Sequence, residues 1–221
     1  MIRTRVAAIL LPLLMMAPPQ ALADPFDAAL RASAEGRHSD AAAAFHVLAL
    51  GGDGAAAYNL ALLFATGRGI PQNDTEALYW AWRARLADVQ AASALLARLW
   101  PPFDTDRRND IASRLERDVL PLAKAGNGSA MLQLAAIQSV VRDTPDLVSA
   151  HTWQSIAAAL DVPGAVAARD ATLAALPAAD RALAQDQALA AFAVWCESQH
   201  LARPATCGIL SASSEKPPEA G

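Results

Sequence analysis

Apolar residues recur at helical spacing through the middle of the chain. Ala56, Leu60, Leu63 and Phe64 fall on one face of a helix, with the small Ala56 and Ala61 leaving room for a close neighbour. Gly67 and Gly69 predict its end, because glycine accepts the left-handed geometry of a helix stop. Ile70-Pro71 then carries the chain across in extended form. Asn73 and Glu76 have the spacing of a capping box for a second helix. On that helix Ala77, Trp80, Ala81 and Ala84 make the inward stripe, an indole set between methyl groups. The unit reads as two antiparallel helices around a glycine turn.

The pattern extends in both directions. Pro25 to Glu35 predicts a helix with Phe26, Ala29 and Leu30 inward, Gly36 to Ser39 a turn, and Asp40 to Leu50 a partner helix carrying Phe45 and Leu48. A turn residue with Ala four positions on and Leu-Ala eight on occurs as Gly52/Ala56/Leu60-Ala61, Asp88/Ala92/Leu96-Ala97 and Gly126/Ala130/Leu134-Ala135. The intervals, 36 and 38 residues, are those of stacked helix pairs. Trp153 and Ala157 repeat the relation of Trp80 to Ala84. The unit from Asp88 has Pro101-Pro102-Phe103 in place of the glycine turn, and a second helix from about Asp106 to Lys124 that Pro121 is expected to kink or end. After Gly126 the turn is Arg142 to Pro145, with Thr144 as the expected cap and Pro145 at the first helical position. The last unit, from Asp161, is irregular. Val166, Leu173 and Leu176 keep an apolar face, and Ala178 to Ser198 predicts a long helix presenting Leu189, Phe192 and Trp195.

Ala56, Leu60, Gly67, Gly69, Asn73, Ala77, Trp80 and Ala84 together resemble a Sel-1-like repeat, a relative of the tetratricopeptide repeats, with Ala61, Phe64, Ile70 and Glu76 standing as substitutions. The resemblance is strongest in this unit and implies an all-α fold: a right-handed α-solenoid of four to five stacked antiparallel helix pairs over residues 24–200. It also implies an adaptor in a larger assembly. Exported relatives carry a cysteine pair within each repeat, and this chain does not.

Composition agrees with helix. Apolar residues are 54% of the chain but aromatics only 5%, alanine supplying much of the difference. A net charge of −4 argues against nucleic acid as a partner, since phosphate contacts need clustered Lys and Arg. Residues 1–23 read as a secretory leader: Arg3 and Arg5, an apolar run from Val6 to Ala17, and Ala21-Leu22-Ala23 as a cleavage site. The run is short for a membrane span and contains Pro12, so stable insertion is not expected after cleavage. A periplasmic or secreted location follows. Residues 201–221 form a tail, polar and expected to be disordered beyond about residue 210.

Cys196 and Cys207 are the only cysteines, and in an exported chain an even count predicts a disulfide. Tyr79, Trp82 and Arg83 lie on a helix face turned away from Trp80 and are the candidate partner-binding residues, aromatic and Arg side chains being frequent in binding hot spots. Arg85, Arg98, Arg107, Arg108, Arg114 and Arg117 make the middle locally basic, although acidic residues alternate with them. His38, His46, His151 and His200 have no metal-ligand spacing. Asp104/Asp106 and Asp143/Asp146 flank helix starts, where carboxylates cap. Gly126-Asn127-Gly128-Ser129 lacks the frame of a nucleophile elbow, and Ser213 with Lys216 stands without companion motifs. No catalytic, cofactor or metal site is therefore expected. The sequence predicts a non-enzymatic scaffold for an unidentified protein or peptide; the alternative is a protein acting on or binding cell-wall fragments through groups brought together only by folding.

Overall fold

The computed structural model describes residues 24–100, 105–199 and 204–212. The expected leader, the Pro101-Pro102-Phe103 turn, His200 and the end of the tail lie outside them. The described residues are all-α, with no strand. The helices are α1 Pro25–Ala34, α2 His38–Leu50, α3 Gly54–Thr66, α4 Asp74–Leu86, α5 Ala92–Leu99, α6 Thr105–Lys124, α7 Gly128–Ala136, α8 Leu147–Ala159, α9 Ala165–Ala175, α10 Ala178–Ser198 and α11 Cys207–Ala212. A π-helical turn, Ile137–Val141, extends α7.

Local chemistry starts and stops these helices. The side chains of Asp24, Asp53, Asn73, Asn127 and Asp146 accept backbone N–H groups at their respective helix starts. One left-handed turn then recurs. Gly52 (φ 95°), Asp88 (62°), Gly126 (93°) and Asp161 (56°) each sit one residue before an amide that bonds five residues back: Asp53 to Leu48 O, Val89 to Ala84 O, Asn127 to Leu122 O and Val162 to Ala157 O, at 3.0–3.1 Å. The alanine four residues after each, Ala56, Ala92, Ala130 or Ala165, is buried.

Helices adjacent in sequence pack as neighbours, α1 on α2 through to α4 on α5, and again α6 on α7, α7 on α8 and α8 on α9. The exception shapes the site. α5 packs along α4 and scarcely meets α6, while α6 crosses α4 and α7. Cys196 and Cys207 are disulfide-bonded, both sulfurs in buried residues, and the bridge ties α11 to α10. Chain-entropy arguments give a loop of this size roughly 3 kcal/mol.

Several local expectations are corrected. Leu30 is 39% exposed, since among the apolar residues of α1 only Ala29 and Ala32 are buried. The capping box is half closed: Asn73 caps α4, but its own N–H goes to Phe64 O, and Glu76 reaches Arg114 instead. Pro121 does not end α6, which continues to Lys124; the backbone bond it cannot donate is the one to the Arg117 carbonyl, one turn back. Asp146, not Thr144, caps α8, so Pro145 precedes the helix. Val166 and Leu189 face solvent at 51% and 57% exposure, since α9 and α10 pack on α8 and hardly on each other. α11 runs as far as Ala212, beside the disulfide that anchors it.

Leu60, Ala77, Trp80, Ala84, Leu96, Leu134 and Ala157 are buried. Phe64 is partly buried against the same core. Trp153 is only half-buried: it borders a hollow of about 790 Å³ with Ile156, Val194 and Trp195, where α8 and α10 leave a gap.

Candidate functional site: a groove between α4, α5 and α7

The α4 face expected to meet a partner is divided by the fold. Tyr79 is buried, its ring edge-on to Trp80 at 5.0 Å, and its hydroxyl donates to Asp118 of α6. Arg114 of α6 stacks over the Tyr79 ring at 4.0 Å and pairs with Glu76 through bonds of 2.6 and 3.2 Å. Arg83 donates to the Tyr79 oxygen at 3.2 Å and lies 3.4 Å from Asp118. Burial, and then the Asp118 acceptor, push the Tyr79 phenol above its usual value. Tyr79 and Arg83 are thus engaged inside the chain. The physical reason is that α6 crosses α4 on this face and brings its own carboxylate and guanidinium to them.

Trp82 is placed differently. It meets Trp100 edge-on at 5.5 Å, and Trp100 in turn carries Arg108 at 4.8 Å. Arg108 and Thr105 both bind Asp143, at 3.2 and 3.1 Å, which anchors the start of α6 to the turn before α8. The other edge of Trp82 borders a groove of about 460 Å³, with Arg85, Leu86, Leu96, Leu132, Gln133 and Val140 among its lining. The groove exists because α5 follows α4 and parts from α6. Its floor is pinned by Gln133, whose amide donates to Leu86 O at 3.0 Å across the end of α4. A smaller hollow of about 180 Å³ adjoins it through Leu86, Ser129 and Gln133.

Part of the charge of the basic stretch is spent within the chain. Arg108 and Arg114 are paired, as is Arg142 with Glu116 at 2.6 Å. Arg85 lines the groove and forms no ion pair among the described residues. The groove therefore offers one half-buried cation, the carboxylate of Asp88, an indole and an aliphatic wall.

Sequence reasoning missed Asp118 and Gln133, and named Arg114 only as one charge of the basic stretch. One signal was present: Glu76 and Arg114 are 38 residues apart and Tyr79 and Asp118 are 39, close to the unit length. Gln133 left no such mark.

Of the carboxylate pairs, Asp143 is held by Arg108 and Asp146 caps α8, which are structural roles. No group of His, Cys, Asp and Glu among the described residues has the arrangement of a metal site. His151 is the surprise: it is 2% exposed, and burial pushes its imidazole below the usual 6.5, with the Arg169 backbone offsetting part of the effect. Below pH 6.5 the unfolded chain then binds a proton that the folded chain resists, so stability falls as pH drops from 6.5 toward the depressed folded value. Denaturation midpoints followed through that window should decline, and His151→Gln should remove this component of the slope. An unchanged slope in the variant would assign the decline to other groups.

No known protein family, curated protein or solved structure matches the chain.

Proposed function

We propose that the protein is a non-enzymatic scaffold, periplasmic or secreted, that holds a protein or peptide in the groove between α4, α5 and α7. The observation that carries this reading is the groove itself: an indole, an arginine without an ion pair and an aliphatic wall meet where α5 parts from α6. Such groups supply binding energy when a partner desolvates them. The left-handed turn recurring at Gly52, Asp88, Gly126 and Asp161, and the burial of Trp80 among Ala77, Ala81 and Ala84, support stacking as a right-handed Sel-1-like solenoid. Curved arrays of that kind present extended binding surfaces. The buried disulfide suits an oxidising compartment, and no helix among the described residues is long and apolar enough to cross a membrane.

A photocrosslinker placed at Val140, 61% exposed on the groove wall, tests the proposal. In an envelope extract it should capture one stoichiometric protein, and Arg85→Glu should weaken that capture by about tenfold, the usual scale for a lost charged contact. Capture untouched by Arg85→Glu would place the partner elsewhere. Turnover of a cell-wall fragment by the purified chain would overturn the scaffold reading.

A further inference from the structure

A second cleft opens among the last long helices, apart from the α4–α5–α7 groove and independent of its reading. α9 and α10 each pack on α8 and hardly on one another. Their junction is closed by Arg181, whose guanidinium donates to Leu176 O at 3.1 Å and Ala174 O at 2.9 Å. Beyond that apex the helices stand apart, and α8 floors the gap. The cleft holds about 460 Å³, within the range of small-molecule sites.

Its floor is polar. His151 lies there, with Ser155 Oγ 3.4 Å from His151 Nε2, while His151 Nδ1 is buried without a hydrogen-bond partner. The Arg169 backbone is the other polar neighbour of the ring, so His151 is buried with fewer partners than its two nitrogens can take. Arg169 and Asp170 stand on the α9 side, joined at 2.8 Å, and Gln185 on the α10 side. The rest of the lining includes Leu173, Leu189 and Phe192.

The electrostatics narrow the ligand. Arg169 and Asp170 pair with each other, and burial disfavours the charged form of His151, so the cleft favours neither a free anion nor a free cation. Its polar groups mix roles: Arg169 donates, Asp170 accepts, and Ser155 and Gln185 do both. A matching ligand is neutral, carries hydroxyls that both donate and accept, and has a C–H face for the apolar wall. We propose that the cleft between α8, α9 and α10 binds a neutral saccharide of mono- to disaccharide size, its hydroxyls toward Ser155, Arg169 and Asp170 and its ring face toward Leu173, Leu189 and Phe192.

The test is a titration of the full-length, disulfide-intact protein with glucose and with maltose. It is followed by the ring ¹H–¹⁵N resonances of histidine, with His151 assigned through His151→Gln. The His151 signals should move saturably while those of His38 and His46 stay fixed. Benzoate and methylammonium, as small charged probes, should leave His151 unmoved. Leu189→Trp, at a solvent-facing position that tolerates bulk, should fill the mouth and weaken sugar binding by about tenfold or more with the melting temperature unchanged. Gln185→Ala, also exposed, repeats the comparison without added bulk and should weaken binding as well. His151 signals unmoved by either sugar would overturn the proposal, as would a larger response to benzoate or full affinity in both variants.

Discussion

Trp80→Ala should lose about 3–5 kcal/mol of unfolding free energy, the range for truncating a buried aromatic ring. The indole is 4% exposed. It stands edge-on to His46 of α2 at 5.5 Å and to Tyr79 at 5.0 Å, and the Arg83 guanidinium lies 5.4 Å from its centroid. Removing it therefore empties a space shared by α2 and α4 and takes the support from under the Tyr79–Asp118 bond. Ala77, Ala81 and Ala84 are already fully buried and carry no bulk with which to fill the gap. Chemical denaturation of the variant measures the loss, and a value below about 1 kcal/mol, the scale of an ordinary surface change, would contradict this packing. Trp153→Ala should lose less, because its ring already borders open space.

The second large effect concerns a residue with no side chain. Gly69→Ala should cost about 3 kcal/mol, from roughly 1–2 for a left-handed alanine and roughly 1–3 for overpacking. Gly69 has φ 73°, and a Cβ there would fall inside the backbone of His38 and Ser39. Backbone cannot swing aside as a side chain can, so the α3–α4 turn would have to lift off the start of α2. Gly52→Ala is the control. Its φ is 95°, but a Cβ there meets nothing within 4 Å, so only the backbone contribution should appear. Equal losses in the two variants would show that the approach to His38 contributes nothing.

This comparison also shows how far local reading reaches. Gly67 and Gly69 both read as helix-stop glycines, yet only Gly67 ends the helix: it is the left-handed cap of α3, and Arg68 N–H bonds Leu63 O at 3.2 Å. The requirement at Gly69 is set by His38, thirty-one residues away. Asn73 behaved as a cap because capping is decided within three residues. Glu76, three residues on, did not complete the box, because Arg114 offers a bidentate partner that a backbone amide does not match. Tyr79, Trp82 and Arg83 were legible as a group with binding chemistry. Which of them a partner could reach was not, since α6 covers Tyr79 and Arg83 and leaves Trp82 at the groove.

Helical periodicity, the Gly67 helix stop and the Asn73 cap were determined by the sequence alone, because each depends on residues a few positions apart. The disulfide belongs with them, resting on two cysteines eleven residues apart. What only tertiary structure decided is which faces meet. Alanine-lined surfaces are nearly interchangeable partners, so nothing local directs α5 to α4 rather than to α6. That choice opens the groove beside Trp82 and Arg85, as the parting of α9 from α10 opens the cleft over His151. Both sites are spaces between helices, and a space has no residues of its own to be read.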